Sequence, residues 1–73
     1  MTTLTETSPG QTARLLSVDN RLRNKLEQYG LHIGDVIHVF RVAPLGGPIL
    51  IKVNGREIAL GRTIAEKILV EVE

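Results

Sequence analysis

The sequence predicts a mainly β domain, about five short strands curled into a small barrel, with one short α-helix after the first strand and one helical turn before the last. Three observations predict it. Apolar residues make up 42% of the 73-residue chain but aromatic residues only 3%, so the core must be built of Val, Ile and Leu. Val53-Asn54-Gly55-Arg56 is a strong hairpin signal, two turn-forming residues between apolar runs. The remaining apolar runs are short and bounded by Gly, Pro or Asp, the punctuation of a tightly connected β domain.

Met1 to Ser8 is polar, with one Glu and no base. It lacks the features of a signal or transit peptide and is expected to be a disordered tail, residues 1–8. The domain is expected to occupy residues 9–73, opening on the turn Ser8-Pro9-Gly10. Gln11 to Val18 reads as the first strand. Asp19 or Asn20 caps the helix that follows, in which Leu22, Leu26 and Tyr29 form one apolar stripe. Gly30 supplies the left-handed residue after its last turn, and Leu31 folds back onto it.

Gly34-Asp35 is a second turn. Val36 to Val42 is almost continuously β-branched, with Phe40 in it, and is expected to be a central strand buried on both faces. Ile49 to Val53 follows. A two-residue Asn54-Gly55 turn then sets Val53 against Arg56, Lys52 against Glu57, Ile51 against Ile58, Leu50 against Ala59 and Ile49 against Leu60. One face of this hairpin is apolar, and the other carries an opposite-charge pair, so turn chemistry and burial demand the same register. Thr63 to Glu66 has capping-box spacing and is expected to open a helical turn. Lys67 to Val72 is the last strand. Closure of the five strands into an SH3-like barrel would remove exposed edges.

Nine basic and eight acidic residues leave a net charge of +1 with no long like-charge run. That excludes a binder driven electrostatically onto nucleic acid or membrane. No run approaches the roughly 20 apolar residues of a membrane span. The chain has no Cys, which removes disulfides and thiolate metal sites and fits a cytoplasmic protein. There is no nucleophile elbow, no phosphate-binding glycine pattern and no carboxylate pair at helical spacing, so no enzyme activity and no cofactor are expected. His32, Asp35 and His38 are the only group resembling ligands for a transition metal. His38 lies inside a strand, sharing a face with Val36 and Phe40, so the expectation is no metal site. Gripping proline-rich helices needs several aromatics. Only Tyr29 and Phe40 are present, and Phe40 is assigned to the core. Arg21, Arg23 and Lys25 are read as a solvated helix face.

The segment between the third and fourth strand expectations is the best candidate for function. Pro44 and Pro48 stiffen its ends, Gly46 and Gly47 permit a sharp turn, and Leu45 sits between them. Leu45 either plugs the end of the barrel core or stands out as an apolar knob for a partner. The expected partner-binding residues are Pro44, Leu45, Gly46 and Gly47, with Leu50 from the non-core face of the hairpin.

From Pro9 to Glu71 the chain resembles the FeoA family, small cytosolic proteins of bacterial ferrous iron uptake. The matching pieces, in order, are Pro9-Gly10, the pattern Leu26-x-x-x-Gly30-Leu31-x-x-Gly34, and Ala43-Pro44-Leu45-Gly46-x-Pro48-Ile49. Val53-x-Gly55, Ile58-Ala59-Leu60 and Ala65-x-x-Ile68-x-Val70-Glu71 complete them. Gly47 stands where many members have Asp, Tyr29 where many have Leu, and Gly61 where a larger residue is common. The resemblance implies an SH3-like barrel without catalysis that binds and modulates the cytosolic side of a FeoB-type ferrous iron transporter. It implies a cytoplasmic location, reaching the inner membrane only through that partner, no nucleic-acid partner, and at most weak self-association. Two other readings of the same residues are a sensor domain that binds a transition metal ion and a generic SH3-like interaction module.

Overall fold

A computed structural model describes all residues, 1–73. Six antiparallel strands, β1 Thr2–Thr3, β2 Thr12–Val18, β3 Val36–Val42, β4 Ile49–Val53, β5 Arg56–Leu60 and β6 Ile68–Val72, form one sheet in the order β1-β6-β2-β3-β4-β5. The sheet curls around a single cluster of fourteen buried residues, all aliphatic, in an SH3-like arrangement. Its outermost strands, β1 and β5, do not pair with each other, so both are open edges.

One strand more than expected is present because residues 2–7 are folded. Thr2 and Thr3 pair with Val70 and Leu69 of β6. A 3-10 turn over Leu4–Glu6 then drives Leu4 fully into the core. The Thr7 hydroxyl, itself buried, donates to the Leu4 carbonyl at 2.6 Å. Glu6 Oε1 accepts the Thr3 amide and hydroxyl, each at 3.0 Å, which holds its carboxyl below the usual carboxylate range. The expectation of a disordered tail at 1–8 is therefore corrected. Threonine is polar by composition but a good strand former, and one buried leucine has no periodicity to reveal it.

The helical region comes out much as the sequence implies. Asp19 Oδ1 accepts the Arg21 amide at 2.9 Å, and this hydrogen bond lowers the Asp19 pKa. The chain passes through a 3-10 turn at Asn20–Leu22 into α1, Arg23–Gln28. Leu26 is buried, with Tyr29 packed against the core. Gly30 has φ +81°, and the Leu31 amide returns to the Leu26 carbonyl at 2.9 Å. Arg56 donates to the Gly30 carbonyl at 3.1 Å, placing a cation at the helix C-terminus where carbonyls accumulate partial negative charge.

The β4–β5 register is the one expected, from Val53–Arg56 to Ile49–Leu60. Asn54 at φ +51° and Gly55 at φ +79° make the turn. Two local expectations are corrected. The second helix, α2, spans Arg62–Ala65 and starts on Gly61 without a side-chain cap, so the Thr63 capping box does not form. Gly61 instead offers its carbonyl to the amides of Ile64 and Ala65. β3 is central in sheet order, between β2 and β4, and buries Ile37 and Val39. Its other face is open: Val36 is 37% and Phe40 43% exposed. A single sheet curled on itself has one interior, and no element covers its outside. Phe40, assigned to the core, faces outward by simple alternation from Val39. It also sits where the β3–β4 register shifts, between Val39 and Arg41.

Candidate functional site

The β3–β4 connection is held at its base and strained at its tip. The Ala43 amide donates to the Pro48 carbonyl at 3.0 Å, and the Gly47 amide to Pro44 at 3.1 Å. The second bond closes a turn with Leu45 and Gly46 at its centre. Both have positive φ, +58° and +74°, as in the turns whose twist matches a β-hairpin. Glycine fills such a position at no steric cost, but for leucine the left-handed region costs roughly 1–2 kcal/mol. Leu45 and Asn54 are the two non-glycine residues with positive φ, and Asn tolerates it readily. Leu45 is fully exposed, at 103% of its reference area. It plugs no core, so of the two sequence-level alternatives the buried one falls.

The loop is anchored from below by Arg62, whose Nη2 donates to the Ala43 carbonyl at 3.3 Å. Gly47 is needed for close approach: a Cβ there would lie 2.7 Å from the Ala43 Cβ. An Asp at this position, common in the family resembled, would require the stem to shift. Pro44 and Gly46 are exposed beside Leu45.

Leu50 is half-buried on the outer face of β4, opposite Ala59. With Phe40, Glu57, Ile58 and Ala59 it lines a shallow cleft of about 270 Å³. Leu45 is not among the lining residues, so the predicted set divides into a loop tip and a neighbouring sheet face. Phe40, Glu57 and Ala59 were not anticipated as part of any site. The signal was present: the hairpin register already put Leu50 and Ala59 on the non-core face, and alternation put Phe40 outward.

The histidines do not converge. His32 Nδ1 lies 3.8 Å from Asp35 Oδ2, and Asp35 accepts the His32 amide at 2.9 Å. His38 Nδ1 instead contacts the Thr12 hydroxyl at 2.9 Å across the β2–β3 ladder. No three His, Asp or Glu side chains come close enough together to hold a metal ion. Arg21, on the 3-10 turn, and Arg23 and Lys25, on α1, are exposed. No helix is long and apolar enough to cross a membrane.

Comparison with known proteins places this geometry. The model of the FeoA domain matches residues 2–72. A crystal structure of an iron uptake regulatory protein, FeoA, has a TM-score of 0.87 at 32% identity, over 99% of this chain and 96% of that one. The solution structure of iron(II) transport protein A from Clostridium thermocellum gives 0.86 at 38% identity, over 96% of this chain and 44% of that one. Zinc-bound ScaR gives 0.87 at 30% identity, over 97% of this chain and 36% of that one. The chain thus spans less than half the length of the last two. A search of curated protein sequences returns no match. With a family match that includes β1 and runs to Val72 of β6, the chain belongs to the FeoA domain family.

Proposed function

We propose that this protein is a non-enzymatic accessory of ferrous iron uptake that docks on the cytosolic side of a FeoB-type transporter and modulates it. It would act in the cytoplasm, at the inner membrane only through that partner. The observation that carries this reading is Leu45, an apolar side chain standing wholly in solvent on a backbone that disfavours it. Strained backbone clusters at functional positions, and strain with no packing contact to offset it supports a role for Leu45 outside the fold. The loop suits docking: Pro44 and Pro48 have their φ angles preset, and the stem is hydrogen-bonded, so little entropy is lost on binding. Family membership supplies the iron context, and the related FeoA and iron(II) transport protein A structures carry it in their names.

The test is Leu45→Asp, with binding to the purified cytosolic domain of the transporter measured by calorimetry beside ferrous iron uptake in cells. The variant should stay folded and melt at or above the parent, because no buried surface changes and Asp tolerates positive φ better than Leu, and should lose binding and uptake. A folded variant that binds and transports as the parent does would overturn the loop's role.

A further inference from the structure

The outer cleft adjoins an edge strand whose hydrogen-bonding groups are free. With Val53 and Arg56 closing a two-residue turn, the ladder alternates so that Arg56, Ile58 and Leu60 bond to β4. The N–H and C=O groups of Glu57 and Ala59 therefore point away from the sheet. No turn, loop or side chain satisfies them. Their side chains emerge on the outer face, beside Phe40 and Leu50. Ala59 is what makes the cleft: its methyl group leaves a hollow between Leu50, directly opposite, and the edge.

Glu57 gives the edge a sign. It faces Lys52 across the ladder, yet the two form no ion pair; the ion pairs between permanently charged side chains are Arg14–Glu73 and Arg21–Asp19. Its carboxylate stands unpaired at the end of an apolar cleft.

We propose that β5 accepts an extended segment of a partner protein as an added strand, and that this segment carries an aliphatic residue and a Lys or Arg two positions apart. The added strand would satisfy the free groups of Glu57 and Ala59. Its aliphatic side chain, opposite Ala59, would cover the cleft, and its base, opposite Glu57, would pair with the carboxylate, since residues two apart share a face. A second copy of this chain fits poorly. Pairing β5 with itself in antiparallel sets Glu57 against either Glu57 or Ala59, if the strands overlap fully, and neither brings a base to the carboxylate. The inference deepens the docking reading above by naming the partner's chemistry. It uses none of the loop residues argued there, so the two can fail separately.

The probe is a capped nonapeptide of sequence Thr-Lys-Thr-Val-Thr-Lys-Thr-Val-Thr, which sets Lys and Val two apart on one face of the strand, with a control in which every lysine is replaced by glutamate. Amide hydrogen exchange and chemical shifts are followed residue by residue as each is added. The lysine peptide should slow exchange at Glu57 and Ala59 and bind about threefold or more tighter than the control, the range of a cross-strand charge pair. Ala59→Pro removes an outward N–H that β4 does not use, and should abolish that protection. Glu57→Lys, which leaves the backbone alone, should reverse the peptide preference even if the proline variant folds badly. Equal affinity for both peptides, or no protection at the two amides, overturns the proposal. So does protection of them without peptide in a dimer seen by sedimentation, which would make the occupant a second copy. Leu45→Asp should bind the peptide as the parent does, so loss of transporter binding in that variant reports on the loop and not on the edge.

Discussion

Replacing Leu45 by asparagine should make the protein more stable and less functional. The leucine occupies φ +58° with its side chain fully exposed, so the substitution forfeits no buried surface. What changes is the backbone. A left-handed conformation costs an ordinary L-residue roughly 1–2 kcal/mol, and asparagine escapes a good part of this by hydrogen-bonding locally. The expected gain is about 0.5–1 kcal/mol. For a domain of this size 1 kcal/mol corresponds to roughly 4–8 °C, so Tm should rise by about 2–8 °C. Leu45→Gly should gain less, because glycine loses about 0.5–1 kcal/mol more to unfolded-chain entropy. Urea unfolding followed by circular dichroism is the assay, with an unchanged slope and a raised midpoint. The same asparagine variant should weaken binding to the transporter's cytosolic domain, since the apolar tip is gone. A lowered midpoint would show that the Leu45 side chain makes contacts its exposure denies, and the reasoning from strain would fall with it.

Three further outcomes are expected. Gly55→Val should destabilise by about 1–2 kcal/mol through backbone strain alone, because a Cβ at Gly55 meets nothing within 4 Å; retained cross-strand contacts between Lys52 and Glu57 with a lower urea midpoint would confirm the cause. Leu4→Ala should cost about 2–5 kcal/mol, the range for emptying a buried leucine site, whereas an unaltered midpoint would return residues 1–8 to the status of a tail. Acidification should destabilise through Asp19 and Glu6, whose carboxyls are held low by hydrogen bonds from the Arg21 and Thr3 amides respectively. A carboxyl that is more acidic folded than unfolded stabilises fully above the ordinary carboxylate range. That stabilisation is lost as pH falls through the lower folded value. Melting curves from neutral to acidic pH should be flatter for Asp19→Asn, which keeps a capping oxygen but cannot titrate.

Sequence alone determined the features that depend on a few consecutive residues. Asn54-Gly55 tolerates the φ values a two-residue turn demands, and that turn carried the whole β4–β5 register with it, down to Ile49 opposite Leu60. Asp19 before the helix and Gly30 after it work through hydrogen bonds spanning two to five residues, so they too were legible. The Thr63 capping box was misleading for the same reason. Its spacing satisfied a local rule, but Gly61 had already begun the turn. Tertiary structure decided everything that depends on which surface a neighbour covers. Leu4 is core because β6 lies beside Thr2 and Thr3, and Phe40 is not, because a sheet curled on itself leaves its outside bare. Arg56 meets the end of a helix from which it is separated by two strands. The site divides along the same line. Prolines and glycines announced a shaped loop, but whether Leu45 faced inward or outward depended on how the hairpin sits against the barrel end. The orphaned carboxylate of Glu57 and the hollow over Ala59 exist only once three strands are side by side.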